Sequence, residues 1–375
     1  MKFCPECGAK LVSQKFCPEC GADMSKYISA TSNNESGAIA DTAETIEFAS
    51  LDLSAIEQTA NLHNEIQAEE AQKSEYTKGL VFRPSKRKTG YRIKKYIGTV
   101  PDVIIPEIYN NEPVTSIGQR AFEDCSKLTS ITISDSVTSI GDYAFSCCKS
   151  LTSITIPDSV TSIGFQAFSL CESLTHITIP DGVTSIGEYA FEGCESLTSI
   201  TIPGSVTSIC GGVFCGCESL TSIIIPGGVT SIGAWAFHGC KSLTSITIPD
   251  SVTSIGDYAF SCCKSLTSIT IPAGVTSIGG RAFSGCTSLT SITIPDSVTS
   301  IGREAFSGCK SLTSITIPKS VTSIDFWAFA DCGSLTSIHF TGTKKQWEMI
   351  NKLQLDGLSG AKFNIICTDG EITQK

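Results

Sequence analysis

The chain has 375 residues, 41% apolar and only 17% charged, with Ser, Thr and Gly filling the difference, which suits a β-rich body with a neutral surface. A net charge of −10 argues against non-specific binding to nucleic acid or to an anionic membrane as the main activity. No apolar run reaches the length of a membrane span.

Residues 1–24 carry Cys4, Cys7, Cys17 and Cys20, spaced C-x2-C-x9-C-x2-C with each pair inside CPECG. Two residues between thiolates let one tight turn hold both sulfurs on a single ion, and the following Gly relieves the backbone there. Structural Zn2+ on these four sulfurs is the expected cofactor, and an all-sulfur shell leaves no open position for catalysis. The rival, a dithiol redox pair, has no use for two matched pairs and is followed by no βαβ pattern. The doubled CPECGA resembles the small zinc ribbons found at bacterial N-termini. MKFCPECGAK offers no apolar segment of the secretory kind, so a cytoplasmic chain with reduced thiols is expected.

Residues 25–78 are polar and acidic, the composition of a flexible linker. Within it, 53–72 spaces Ile56, Leu62 and Ile66 loosely as a helix, read as solvated rather than partner-bound. From Lys78 to Lys95 the chain holds Arg83, Lys86, Arg87, Lys88, Arg92 and Lys94 without an acid. Here LVF and TGYRI predict a hairpin with its tip at 84–90, solvated rather than pressed on nucleic acid or membrane. Residues 79–113 are expected to form an N-terminal cap.

Residues 114–340 are ten copies of a 23-residue unit, V-T-S-I-G-x-x-A-F-x-x-C-x-x-L-T-S-I-T-I-P-x-x, with Phe122 and its successors to Phe329 in strict register. A period of this length means a solenoid, because one unit cannot bury its own apolar face. L-T-S-I-T-I-P predicts a strand closed by proline, with Ile131 and Ile133 inward and Ser130 and Thr132 outward. The two residues after proline make a turn, and V-T-S-I is a second extended piece. G-x-x-A-F-x-x-C predicts one short helical turn packing inward. Each coil then buries Val, Ile, Ala, Phe, Cys, Leu, Ile and Ile, and ten coils at about 4.8 Å span about 45–50 Å. The unit resembles the BspA-like leucine-rich repeat, departing from common leucine-rich repeats in placing Pro at the strand end. The flank 90–118 looks like that family's entry segment, and Gly342-Thr343, Gln346-Trp347 and 365–372 look like its closing cap, within 341–375. The resemblance implies a β-rich repeat solenoid that binds proteins, including adhesion to host or matrix proteins in exported members.

Ten cysteines, from Cys125 to Cys332, fill one column of the repeat. Parallel Cβ vectors about 4.8 Å apart do not suit disulfides, so packing is expected. Cys147 and Cys262 fall in a tolerant column, with partial exposure expected. The four histidines have no paired nucleophile or metal-ligand spacing, and no phosphate loop, GxSxG or HExxH occurs, so no enzyme activity is expected.

The pair after I-G varies most. Arg120, Tyr143, Tyr189, Trp235, Tyr258, Arg281 and Trp327 share one column, with Phe165 and Phe326 beside it. These types dominate binding hot spots, but the same rings suit packing over the next coil, and both readings stand. A second column, Lys149, Glu172, Glu195, Glu218 and Lys241, forms an acidic stripe flanked by lysines, a solvated face or a steering patch. The Ser130/Thr132 ladders raise a third idea, an ice-binding array. The expectation is a monomeric, non-catalytic scaffold for a protein partner, with a surface adhesin exported by another route as the alternative.

Overall fold

The computed structural model describes residues 2–3, 10–11, 76–85, 89–350 and 363–373, in two units, Met1–Glu65 and Ile66–Lys375. In the first unit Lys2–Phe3 pairs antiparallel with Lys10–Leu11. Cys4, Cys7, Cys17 and Cys20 lie outside the described residues, as do Ile56, Leu62, Ile66 and the basic tip Lys86, Arg87 and Lys88.

The second unit is a solenoid of about eleven turns. Most coils contribute two short strands, each kind stacking in register into a parallel ladder; around Ile209, Ile224 and Thr247 isolated bridges take the place of strands, and no pairing joins Thr247 to Ser268–Thr270. In one, Ser130–Thr132, Ser153–Thr155, His176–Thr178 and Ser199–Thr201 pair residue for residue. In the other, Ser139–Ile140, Ser162–Ile163 and Ser185–Ile186 do the same. The strand is shorter than L-T-S-I-T-I-P because proline cannot donate to the ladder and instead opens a turn, with the Val160 N–H donating to the Pro157 carbonyl. The residues inside are those the repeat pattern selects: Val160, Ile163, Ala167, Phe168, Cys171 and Leu174 are buried, as are Ile154 and Ile156 of the neighbouring strand. A buried side chain of this size is worth about 1.5–3 kcal/mol in water-to-core transfer. The Phe column forms one stack, with centroids 5.2 Å apart between Phe145 and Phe168 and 5.5 Å between Phe306 and Phe329.

The expected helical turn is not there. G-x-x-A-F-x-x-C runs as consecutive turns containing two left-handed residues, such as Tyr143 (φ 55°) and Cys147 (φ 60°). The reversal of φ breaks any helix and turns alternate N–H groups onto the next coil. Tyr143, Phe145 and Cys147 donate to the carbonyls of Phe165, Ala167 and Ser169. The remaining groups close i,i+3 turns, as from Cys148 to Phe145. This side of the coil therefore forms a third ladder, made of turns rather than strands.

Side chains tie the coils further. The Cys171 thiol donates to the Phe145 carbonyl at 3.2 Å, so that carbonyl serves two coils at once. Thr152 and Thr161 hydroxyls donate to the Thr129 and Thr138 carbonyls one coil back, and Ser159 to that of Val137. Antiparallel pairs close both ends: Leu80–Pro84 with Tyr91–Tyr96, and Asn364–Cys367 with Gly370–Thr373. The helix Lys344–Met349 buries Trp347 at the C-terminal end, with Thr343 and Gln346 forming a capping box.

Candidate functional site

The varied column lies on the turn ladder, at its first left-handed position. Its occupants are Arg120, Tyr143, Gln166, Tyr189, Gly212, Trp235, Tyr258, Arg281, Glu304 and Trp327, all at positive φ. Because φ is reversed, each side chain leaves the coil sideways and lies against the next. Arg120 sits 4.6 Å above the Tyr143 ring, and Tyr143 meets Phe165 edge-on at 5.3 Å. Phe165 in turn meets Tyr189 at 6.1 Å. Tyr189 is seated on Gly212, where an added Cβ would fall 2.2 Å from its ring.

Past Gly212 the column resumes as a tighter group. Trp235 and Tyr258 stack at 4.0 Å, and His238 meets Trp235 edge-on at 4.8 Å. Arg281 donates to the Tyr258 hydroxyl at 2.8 Å and forks onto Glu304 at 2.7 and 2.8 Å. Arg303 also reaches Glu304, at 3.0 Å, while its guanidinium lies 5.0 Å from the Trp327 ring. Phe326 stands beside Trp327 at 6.4 Å. The hydrogen bond from Arg281 holds the Glu304 carboxyl below its ordinary range, and burial pushes the His238 imidazole down. The structure thus gathers the nine predicted residues into two groups, Arg120 to Tyr189 and Trp235 to Trp327. The rings are half-buried against one another, except Trp327, which is 43% exposed at the end of the column. A shallow cavity opens there between Arg281, Arg303, Glu304, Trp327 and Asp331.

Glu304, Arg303 and His238 belong to this surface, although sequence reasoning does not single them out. A signal exists for the first: opposite charges at one column position in successive copies, as with Arg281 and Glu304, must meet in a solenoid. The acidic stripe is partly neutralised by its own flanks, Lys149 pairing with Glu172 at 2.8 Å and Lys241 with Glu218, which leaves Glu195 between the pairs. Such exposed pairs contribute little to stability. The outward Ser/Thr array is interrupted by His176, Ile224 and His339, with Ile224 standing proud of the sheet.

The cysteine column is packing. From Cys148 to Cys332 these residues are completely buried, and burial pushes their thiols far up, Cys332 to about 11. Cys125, in the first coil, is only half-buried, because no full repeat covers its outer side. Cys147 and Cys262 are partly exposed at the second left-handed position. All fifteen described cysteines are free. Among the described residues no group of three or more His, Cys, Asp or Glu side chains is arranged to hold a metal.

No curated protein matches the sequence. Among solved structures, the chain is similar to a leucine-rich repeat protein from Bacteroides ovatus, at 30% identity over 71% of this chain and 84% of that one, with a TM-score of 0.56. It is also similar to a leucine-rich repeat protein of T. pallidum, at 32% identity over 51% and 89% of the two chains, TM-score 0.49. A leucine-rich cell surface protein from Faecalibacterium prausnitzii matches at 32% identity over 74% and 97%, TM-score 0.42. The model for the BspA type leucine rich repeat region matches residues 102–221, 209–336 and 276–352. With this match spanning about two thirds of its length, in the segment that forms the solenoid, the chain belongs to the BspA-type leucine-rich repeat family.

Proposed function

We propose that the chain is a non-catalytic protein-interaction scaffold whose contact surface is the aromatic and guanidinium column on the turn ladder. One observation carries this reading. Each coil has two left-handed positions. At the second, glycine occupies five of ten copies (Gly193, Gly216, Gly239, Gly285, Gly308). At the first, with the same backbone need, glycine occurs once, at Gly212, while Tyr, Trp and Arg fill seven. A non-glycine residue there costs about 1–2 kcal/mol. Large rings are thus retained where the backbone favours glycine, so the column is kept for its side chains. Packing against the next coil accounts for part of that. The half-exposed edges of Trp235, Tyr258 and Trp327, beside Arg281 and Arg303, are the residue types that anchor partners.

The same backbone supplies a clean test. Replacing Trp235, Tyr258 and Trp327 together with glycine removes the rings while relaxing φ. The immobilised chain is expected to retain a protein partner that the triple variant, with an unchanged circular dichroism spectrum, releases. Identical capture by both proteins would make the column packing alone.

The N-terminal cysteines belong to the same scheme. Cys4, Cys7, Cys17 and Cys20 would hold one structural Zn2+, supplying folding energy to a small second binding element. The free-thiol composition favours a reducing compartment for this chain, which cell fractionation tests. Protein on the surface of intact cells would instead favour the adhesin reading.

A further inference from the structure

The V-T-S-I ladder pairs at every described coil boundary but one. Ser185–Ile186 is the last strand of the N-terminal run, and the residues Ser208 and Ile209 of the next coil make no pairing with it. Ile209 pairs only forward, to Ile232, with its N–H on the Ser231 carbonyl at 3.0 Å. Thr184 and Gly187 donate to Thr161 and Ile163 on the preceding coil, and Thr230 and Gly233 donate to Thr207 and Ile209 on theirs. Thr207 and Cys210, their counterparts at this boundary, make no such bond; Thr276 and Gly279 lack it too, but there Ile255 still pairs with Ile278, so within this ladder the strand pairing itself is lost only at the Cys210 boundary.

What sets this boundary apart is one residue. Cys210 stands in the glycine column of V-T-S-I-G. A Cβ added to Gly187 would lie 2.5 Å from backbone atoms of Gly164 and Phe165, and one added to Gly256 would lie 2.5 Å from the Ala234 nitrogen. The Cβ side of this column therefore faces the backbone of the previous coil with no room to spare. At 210 a real Cβ holds the coil away. The turn bond that Ala190 and Ala236 make to Gly187 and Gly233 is also missing from Val213 to Cys210. The Phe stack widens to 5.9 Å between Phe191 and Phe214, its largest spacing. Asp325, the other exception in the column, keeps its N–H bond to Ile301. It lies in the last repeat, where its turn opens and its carboxylate takes the Phe326 N–H at 2.7 Å. Cys210 is held between two full coils.

The other sides of this boundary stay closed. Tyr189, Phe191 and Gly193 donate across it to Gly211, Val213 and Cys215. The Cys217 thiol reaches the Phe191 carbonyl at 3.2 Å, and Thr201 bridges Ile224. One side is open and the rest are bonded, which is the geometry of a hinge. We infer that Thr207–Cys210 is a built-in hinge at which the solenoid opens along its V-T-S-I side, so that its two halves flex as separate rigid bodies. The gap in the surface column falls at the same coil: Gly212 carries no side chain, and the groups Arg120–Tyr189 and Trp235–Trp327 lie on opposite sides of it. A partner bridging both groups would meet two patches of adjustable angle.

Hydrogen exchange of the full chain, resolved to single amides, tests this. The Thr207 and Cys210 amides are expected to exchange about tenfold or more faster than Thr230 and Gly233, the difference one backbone hydrogen bond makes. Cys210→Gly is expected to slow them to the rate of their neighbours. Gly233→Cys, which transplants the Cβ to a boundary that is now closed, is expected to speed Thr230 and Gly233 instead. Equal protection of 207/210 and 230/233 in the natural chain would overturn the hinge. So would a Gly233→Cys protein that keeps its slow amides.

Discussion

Nine thiols, Cys148 to Cys332, lie with no solvent exposure in the interior of the solenoid, and in each burial is the first cause raising the pKa. Raising the pH therefore acts on the unfolded chain alone. Below about pH 8.5 both states hold the thiol proton and stability is unaffected by it. Above that the unfolded chain releases protons that the folded chain retains, so stability falls as pH rises. One unit above the unfolded pKa each thiol removes about 1.4 kcal/mol. If the coils melt together, the nine remove about 13 kcal/mol, as much as an ordinary domain possesses in total. The chain is expected to unfold reversibly near pH 10, over a span far narrower than a one-proton titration, under reducing conditions. Circular dichroism against pH follows the transition, and thiolate absorbance near 240 nm is expected to rise in the same interval. Native structure persisting to pH 11.5, or thiolate appearing ahead of unfolding, would refute the picture of a sealed thiol column.

Two glycine substitutions separate the two uses of glycine in the repeat. Gly239→Ala meets nothing nearer than 3.7 Å and bears only the cost of φ +72°, about 1 kcal/mol, whereas Gly256→Ala meets backbone at 2.5 Å and is expected to cost about 2–4 kcal/mol by forcing coils apart. Denaturant midpoints of the two variants compare them without an unfolded-state difference, and equal midpoints would remove the steric account. Iodoacetamide on the native chain at neutral pH is expected to label Cys147 and Cys262 within the time that leaves Cys194 and Cys240 untouched, read by mass spectrometry. Metal analysis of the purified chain is expected to give one zinc per chain, lost on changing Cys17 and Cys20 to Ser, with the solenoid's circular dichroism unchanged; a chain without zinc would sink the ribbon.

The repeat's period, its inward residues and the packing role of its cysteines are legible because a 23-residue frame with fixed and free positions separates core from surface. Where sequence misleads, the cause is local backbone sign. Ala and Cys four apart suit a helix, and nothing in A-F-x-x-C announces that the residues two before Phe and two after it reverse φ. The alternation of Gly, Asp and Cys at the second of these, from Asp124 to Asp331, is the available signal, and it reports a left-handed backbone rather than simple tolerance. The bonding of Thr and Ser hydroxyls is also hidden. Thr152 looks like an outward residue in sequence, and its hydroxyl becomes a rung only once the carbonyl of Thr129 sits beneath it. The surface column stands out because it varies, but its pairing of Arg281 with Glu304 needs the stacking of copies to be seen.

The side-chain rungs that join the coils span 22, 23 or 26 residues, whether from Ser159 to Val137, Thr152 to Thr129 or Cys171 to Phe145. No part of the solenoid needs to find a partner from the far end of the chain. Loop-closure cost is set by one coil and does not grow with the number of coils, so a longer array would fold by adding turns to an existing end at an unchanged cost per turn. Length is then free to drift by whole units. The stretch DYAFSCCKSLTSITIP, identical at 142–157 and 257–272, fits an array that has grown by copying itself. A deletion of any 23 consecutive residues inside it would leave every remaining column in register.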